Sequence, residues 1–242
     1  MLTLTIFNLI LILIVGALLF AVKKTVKTER GQNITLFIAA AATILLHYST
    51  AIYLFVTGGD VFEYIGENPN LILPVYPCNV VMWSCLILPL LKNKDSMLGK
   101  LLVDYIFWFG IFSTLVGMFA NVDFINNPTL KNYDITKSIV AHATLLFNVL
   151  LLPLFARIRL DFFRNMKNMI FSVIGMYIIG LYCNLVFKAL VSEEMAYYKN
   201  SMFILHSPFE GLPFLKYPII AAAGLILYFI LFTVCDIIKN KK

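Results

Sequence analysis

The chain has 242 residues, of which 61% are hydrophobic and only 13% charged. So few charges cannot coat a soluble domain, and several apolar runs reach the roughly 20 residues that a helix needs to cross a bilayer. The formal net charge of +6 is concentrated in short stretches between those runs, so it reads as a topology signal and not as a nucleic-acid surface.

The predicted fold class is all-α: a polytopic transmembrane helix bundle of about seven helices, forming one domain over residues 1–242. The spans in chain order are Leu2 to Val22, Ile34 to Val56, Leu73 to Leu91, Leu101 to Ala120, Ser138 to Ala156, Met169 to Leu190, and Tyr217 to Ile238. The first has no basic residue before it and Lys23, Lys24 and Lys27 after it. A cleavable signal peptide has the opposite arrangement, so this run is expected to be a retained anchor with a translocated N-terminus. The loops then alternate. One side carries fourteen basic residues, from Lys23 through Lys94, Arg157 and Arg164 to Lys242. The other carries Lys131, Lys137, Lys199 and Lys216 together with most of the acids, among them Asp60, Glu67, Asp134 and Glu193. The basic side is expected to be cytoplasmic, which puts the N-terminus outside and the C-terminus inside.

Two spans share a pattern. The third reads Cys78-Asn-Val-Val-Met-Trp-Ser-Cys-Leu-Ile-Leu-Pro89, and the fifth reads His142-Ala-Thr-Leu-Leu-Phe-Asn-Val-Leu-Leu-Leu-Pro153. Equal spacing to a terminal proline predicts two helices crossing in one direction, with a thiol and an imidazole at matching depth near the outer face. These are the parts of a cysteine nucleophile and its base. Pro77 suits the first turn of a helix, which would place Cys78 at an N-terminus where the dipole favours a thiolate. A helix from there to Leu91 is too short to span alone, so Leu73 to Pro77 is expected to enter the membrane as a distorted turn. Irregular backbone at that depth is tolerated only where it is buried in protein or lines a cavity.

Other polar residues fall in the outer halves of the spans: His47, Asn79, Asn121, Asn148, Asn184 and Lys188. Polar groups in hydrocarbon face the bundle interior or a wet cavity, so this bias predicts a pocket opening toward the outer leaflet. Hydrogen bonding between helices is the competing use for any one of them. His47 is placed to orient His142 or to meet a head group, Lys188 to meet a phosphate, and Asn79 or Asn121 to stabilise an oxyanion. Asp104, well inside the fourth span, has Lys100 one turn away as an expected partner. The four cysteines form no C-x-x-C pair, so neither a metal site nor a disulfide is expected, and no cofactor is implied. No H-E-x-x-H, G-x-S-x-G, Walker A or dinucleotide motif is present.

Leu73-Pro-Val-Tyr-Pro-Cys78-Asn, Tyr105-Ile-Phe-Trp-Phe-Gly110 and the lone His142 opening a later span resemble the YwaF-type integral membrane proteins of bacteria. Those in turn resemble a eukaryotic transmembrane acyltransferase that remodels ether phospholipids and, more distantly, ADTRP-type membrane lipid hydrolases. The resemblance covers Leu73 to Pro153. It implies a Cys–His acyl-transfer site on Cys78 and His142, a phospholipid or lysophospholipid partner, and residence in a bacterial plasma membrane. The chain departs from the family pattern at Tyr76, where a histidine often stands, and at Pro77, which replaces an apolar residue. Two other readings stand beside it. One is a transporter or lipid-binding protein that uses the same pocket without covalent chemistry. The other is a structural partner that associates through helix faces.

Overall fold

The computed structural model describes residues 2–119, 129–207 and 211–240. Polar side chains set the helix starts. Thr28 Oγ1 accepts the Gly31 N–H at 3.1 Å, Asn132 Oδ1 accepts from Asp134 at 2.9 Å, Asp161 Oδ1 from Arg164 at 3.1 Å, and Ser192 Oγ from Met195 at 2.9 Å. Each satisfies an N–H that has no partner within its own helix. Gly58, at φ 73°, ends one helix in the left-handed conformation that glycine adopts without strain.

The resulting helices are α1 (Leu2–Thr25), α2 (Glu29–Thr57), α3 (Val61–Glu67), α4 (Pro77–Leu90), α5 (Met97–Phe119), α6 (Tyr133–Leu154), α7 (Phe162–Leu190), α8 (Glu193–Lys199) and α9 (Tyr217–Asn240). Among the described residues there is no strand. Helices α1, α2, α5, α6, α7 and α9 are long and apolar enough to cross a membrane. The third expected span differs. Helix α4 has 14 residues, about 21 Å at 1.5 Å per residue. It begins at Pro77, and the stretch before it is a short 3₁₀ turn, Pro69–Leu71, followed by irregular chain.

Helices α2, α4, α5 and α6 form a four-membered ring, with α4 and α6 on one diagonal and meeting only lightly across the middle. Helix α1 packs outside α6, and α7 outside α5 with α9 behind it. The main core holds Val81, Ile106, Trp108, Val149, Leu151 and Leu152, each nearly inaccessible, and extends to α7 and α9, where Trp108 packs against Tyr228. The exterior is the inverse of a soluble protein: Leu2, Leu13, Phe20, Phe55, Phe163 and Leu185 are all more than half exposed. Such a continuous apolar surface is suited to lipid. Gly110 of α5 sits where an added Cβ would lie 2.5 Å from Val149 Cγ2 and 3.3 Å from Val81 Cγ1. The absence of a side chain there lets α5 approach α4 and α6 closely.

Several polar side chains turn inward and bind neighbouring helices. Asn8 Nδ2 of α1 donates to the Met118 carbonyl of α5 at 2.6 Å. Asn148 Nδ2 of α6 donates to Thr43 Oγ1 of α2 at 3.1 Å. Asp104 departs from expectation. It is buried and faces α7, where Asn165 Nδ2 donates to Oδ1 at 2.8 Å and Asn168 Nδ2 to Oδ2 at 2.6 Å, with Arg164 Nε 3.8 Å away. Lys100 is exposed. A carboxylate inside the bundle requires donors that are also inside, and α7 supplies them.

Candidate functional site

The lead-in to α4 shapes the site. Its carbonyls are taken up one by one by other elements. His47 Nε2 of α2 lies 3.2 Å from the Asn70 oxygen, and Tyr48 OH donates to the Leu71 oxygen at 2.5 Å. The Val75 oxygen accepts Met202 N–H at 2.9 Å and Ser201 Oγ at 2.8 Å. The Pro77 oxygen accepts Tyr105 OH of α5 at 3.2 Å. Asn79 Oδ1 reaches back to accept the Tyr76 N–H at 3.0 Å, so Asn79 helps to start the helix that carries Cys78. The stretch before α4 is thus irregular, as expected, and the Asn70, Leu71, Val75 and Pro77 carbonyls find partners in other elements, as irregular backbone inside a bundle requires.

The segment that grips Val75 is itself strained. Asn200, Met202 and Phe203 have φ of 44°, 55° and 57°, a region costly for side chains other than Asn and Gly. Asn184 of α7 holds it in place: its Oδ1 accepts Ser201 N–H at 2.8 Å and its Nδ2 donates to Ser201 O at 3.3 Å. The Phe203 ring lies against Tyr76, with centroids 5.7 Å apart. This strained segment is held by buried hydrogen bonds and grips Val75, three residues before Cys78; strain of this kind is typical of functional sites.

A cavity of about 490 Å³ opens at the acidic end of the bundle, between the lead-in and the start of α6. His47 and His142 both line it, with Tyr76 and Val75 of the lead-in. His142 Nδ1 is 2.8 Å from the Ser138 carbonyl oxygen one turn earlier. A carbonyl only accepts, so Nδ1 carries the hydrogen and, in the neutral ring, the lone pair is on Nε2. The ring rests against Gly117 of α5, where a Cβ would overlap it. One wall carries a polar cluster around Lys137 and Asp134, charges expected in a loop. Lys137 Nζ donates to Asp134 Oδ1 at 2.7 Å, Thr50 Oγ1 at 2.7 Å and Tyr64 OH at 3.2 Å. The signal was present in the spacing: Asp134, Lys137, Ser138, Ala141 and His142 line the cavity at helical intervals, one face of α6.

The other expected site residues are dispersed. Cys78 is half-buried and packs against the main core, two residues beyond the last lead-in residue on the cavity wall. Asn148 serves the α2–α6 contact, and Asn184 serves the Asn200–Phe203 segment. Lys188 lies outside the cavity lining and forms an exposed ion pair with Glu193 at 2.6 Å. That hydrogen bond and the lysine charge hold the Glu193 carboxyl below the usual glutamate range. Asn121 falls outside the described residues. All four cysteines are free. Among the described residues no cluster of three or more His, Cys, Asp or Glu is placed to hold a metal.

No curated protein matches the chain, and no solved structure does. The family model of TMEM164, a membrane protein family, matches residues 1–235, and the chain belongs to the TMEM164 family.

Proposed function

We propose that the chain is a membrane-embedded lipid acyltransferase or acyl hydrolase, with Cys78 as nucleophile and His142 as its base. The observation that carries this reading is the fixed imidazole. Its Nδ1–H is engaged by Ser138, and its Nε2 lone pair belongs to a ring lining a cavity whose wall runs directly into the helix of Cys78. The resemblance to YwaF-type proteins supplies the acyl chemistry. Nε2 takes the thiol proton, and Sγ bonds to the carbonyl carbon of a phospholipid ester. The C–O bond then breaks, and the departing alkoxide takes the proton back from the imidazolium. A lysophospholipid hydroxyl or a water resolves the thioester by the same route in reverse. First-turn N–H groups of α4 and the Asn79 amide, adjacent to Cys78 in the chain, would stabilise the oxyanion. The reaction needs the thiol to reach Nε2 across the ring of helices. If the basic end is cytoplasmic, the cavity faces the outer leaflet of a bacterial plasma membrane.

A second reading rests on one observation: Cys78 packs on the core and is absent from the cavity lining. A binding or transport protein would use the same polar cavity for a lipid head group or small solute, with no covalent step.

The discriminating experiment incubates purified protein with a phospholipid bearing a labelled acyl chain and measures hydroxylamine-sensitive label on the protein. Acyl transfer predicts label on the wild type and none on Cys78→Ala or His142→Ala. Lipid binding that survives Cys78→Ala, with the wild type unlabelled at every time point, selects the binding reading.

A further inference from the structure

At the opposite, basic end of the bundle, α4 stops short while α2 continues. Pro89 and Leu90, the last residues of α4, lie level with Ile34 and Phe37, one to two turns inside α2. A helix of 14 residues covers about 21 Å of a hydrocarbon layer roughly 30 Å thick, so the wall of the ring steps inward here. The step is a groove of about 490 Å³ with an apolar floor, in which Ile34, Phe37 and Leu90 remain 48%, 40% and 63% exposed.

Its rim is basic. Arg30 and Asn33 line the groove directly. Lys94 Nζ is 2.6 Å from Asn33 Oδ1, and Arg157 NH2 is 3.5 Å from the same oxygen. The acid at this rim is Glu29, 3.5 Å from Arg157. Three cations thus gather around one carboxylate. Partial burial, followed by the neighbouring Arg157, pushes the Lys94 ammonium below the ordinary lysine range. With Arg30, Lys94 and Arg157 set against the single carboxylate of Glu29, the rim carries surplus positive charge, which an anion would relieve.

We infer that this groove is a binding site for one anionic glycerophospholipid of the leaflet at the basic end: an acyl chain lies along Ile34, Phe37 and Leu90, and the phosphate meets Arg30 and Lys94. An apolar floor and a cationic rim one or two turns apart match the two halves of such a lipid, and the surplus of cations favours a net negative head group over a zwitterionic one. The site lies at the end of the bundle away from the His47–His142 cavity and does not depend on the acyl-transfer reading.

Native mass spectrometry of the full chain, titrated in detergent with dioleoylphosphatidylglycerol or dioleoylphosphatidylcholine, tests it. The wild type should retain one phosphatidylglycerol at concentrations where phosphatidylcholine retention is several-fold lower. Arg30→Gln and Lys94→Gln should each weaken phosphatidylglycerol retention about fivefold, the effect of one surface cation. Ile34→Trp, which fills the floor and keeps every charge, should weaken it as well, while Arg30→Lys and Lys188→Gln should leave it intact. Equal retention of the two lipids by the wild type would overturn the inference. Phosphatidylglycerol retention unchanged in both Arg30→Gln and Lys94→Gln would do the same. These exposed and half-exposed rim positions keep the test valid should the tryptophan variant fail to fold.

Discussion

Helices α4 and α6 carry matched sequences, with a reactive side chain eleven positions before a proline in each, yet they place that side chain by different means. Helix α6 is an unbroken 22-residue helix capped by Asn132, and His142 sits more than two turns inside it, tied to its own backbone at Ser138. Helix α4 begins one residue before Cys78, and what precedes it has no regular structure of its own. The start of α4 is held by donors from α2, from α5 and from the Ser201–Met202 turn. The position of His142 is therefore local, encoded within a few residues. The position of Cys78 is tertiary, encoded by residues far away in the chain. Damage at a distance should disturb one and spare the other.

Asn184→Leu should have the largest effect. It leaves the N–H and carbonyl of buried Ser201 without their partner, at about 1–3 kcal/mol for each group. The expected result is a lower melting temperature and a several-fold faster alkylation of Cys78 by a maleimide. Unchanged alkylation would show that the Ser201 segment does not govern the thiol. Gly117→Ala tests the other side. Its methyl overlaps the His142 ring, and overpacking of this kind costs about 1–3 kcal/mol. Acyl labelling should fall while Cys78 alkylation stays at the wild-type rate; loss of both would break the distinction between local and tertiary placement. Ser201→Ala removes one of two donors to the Val75 oxygen. An unfolding free energy lower by about 1 kcal/mol in chemical denaturation is expected, since Met202 N–H remains. Lys188→Ala should do least. Its pair with Glu193 is exposed and lies outside the cavity lining, so the acyl labelling should match the wild type and the neutral-pH melting temperature should fall only slightly. The lowered Glu193 carboxyl contributes stability above the ordinary glutamate range and loses it as the pH falls below that range, through the lowered Glu193 value. The variant should lack that small acid-side decline, which thermal melts at a series of pH values would reveal.

The spans were legible in the sequence because a bilayer imposes length and apolarity on each one separately. Pro77 was legible for a similar reason: proline at a helix start and a run too short to cross are both local facts. The partners of individual polar residues were not. Asp104 had Lys100 one turn away in sequence, but the direction in which α5 faces α7 gave it Asn165 and Asn168 instead. Asn148 and Asn184 read as lining a pocket, and each is used in a contact between elements. Lys137 looked like a loop charge until the start of α6 placed it on one face with Asp134 and His142. Depth can be read from hydropathy, whereas azimuth around the helix axis depends on which neighbours pack where.

The bond from Ser201 to the Val75 carbonyl joins residues 126 positions apart. A chain emerging from the ribosome inserts its N-terminal helices first. His142 would acquire its Ser138 partner as soon as α6 forms. The Val75 carbonyl, three residues before Cys78, would lack its Ser201 and Met202 donors until α7 has been threaded and the turn beyond α8 has folded back. Through most of its synthesis the protein would thus have a finished imidazole and an unfinished thiol. This order would keep the proposed nucleophile from being fully positioned before the bundle around it has closed.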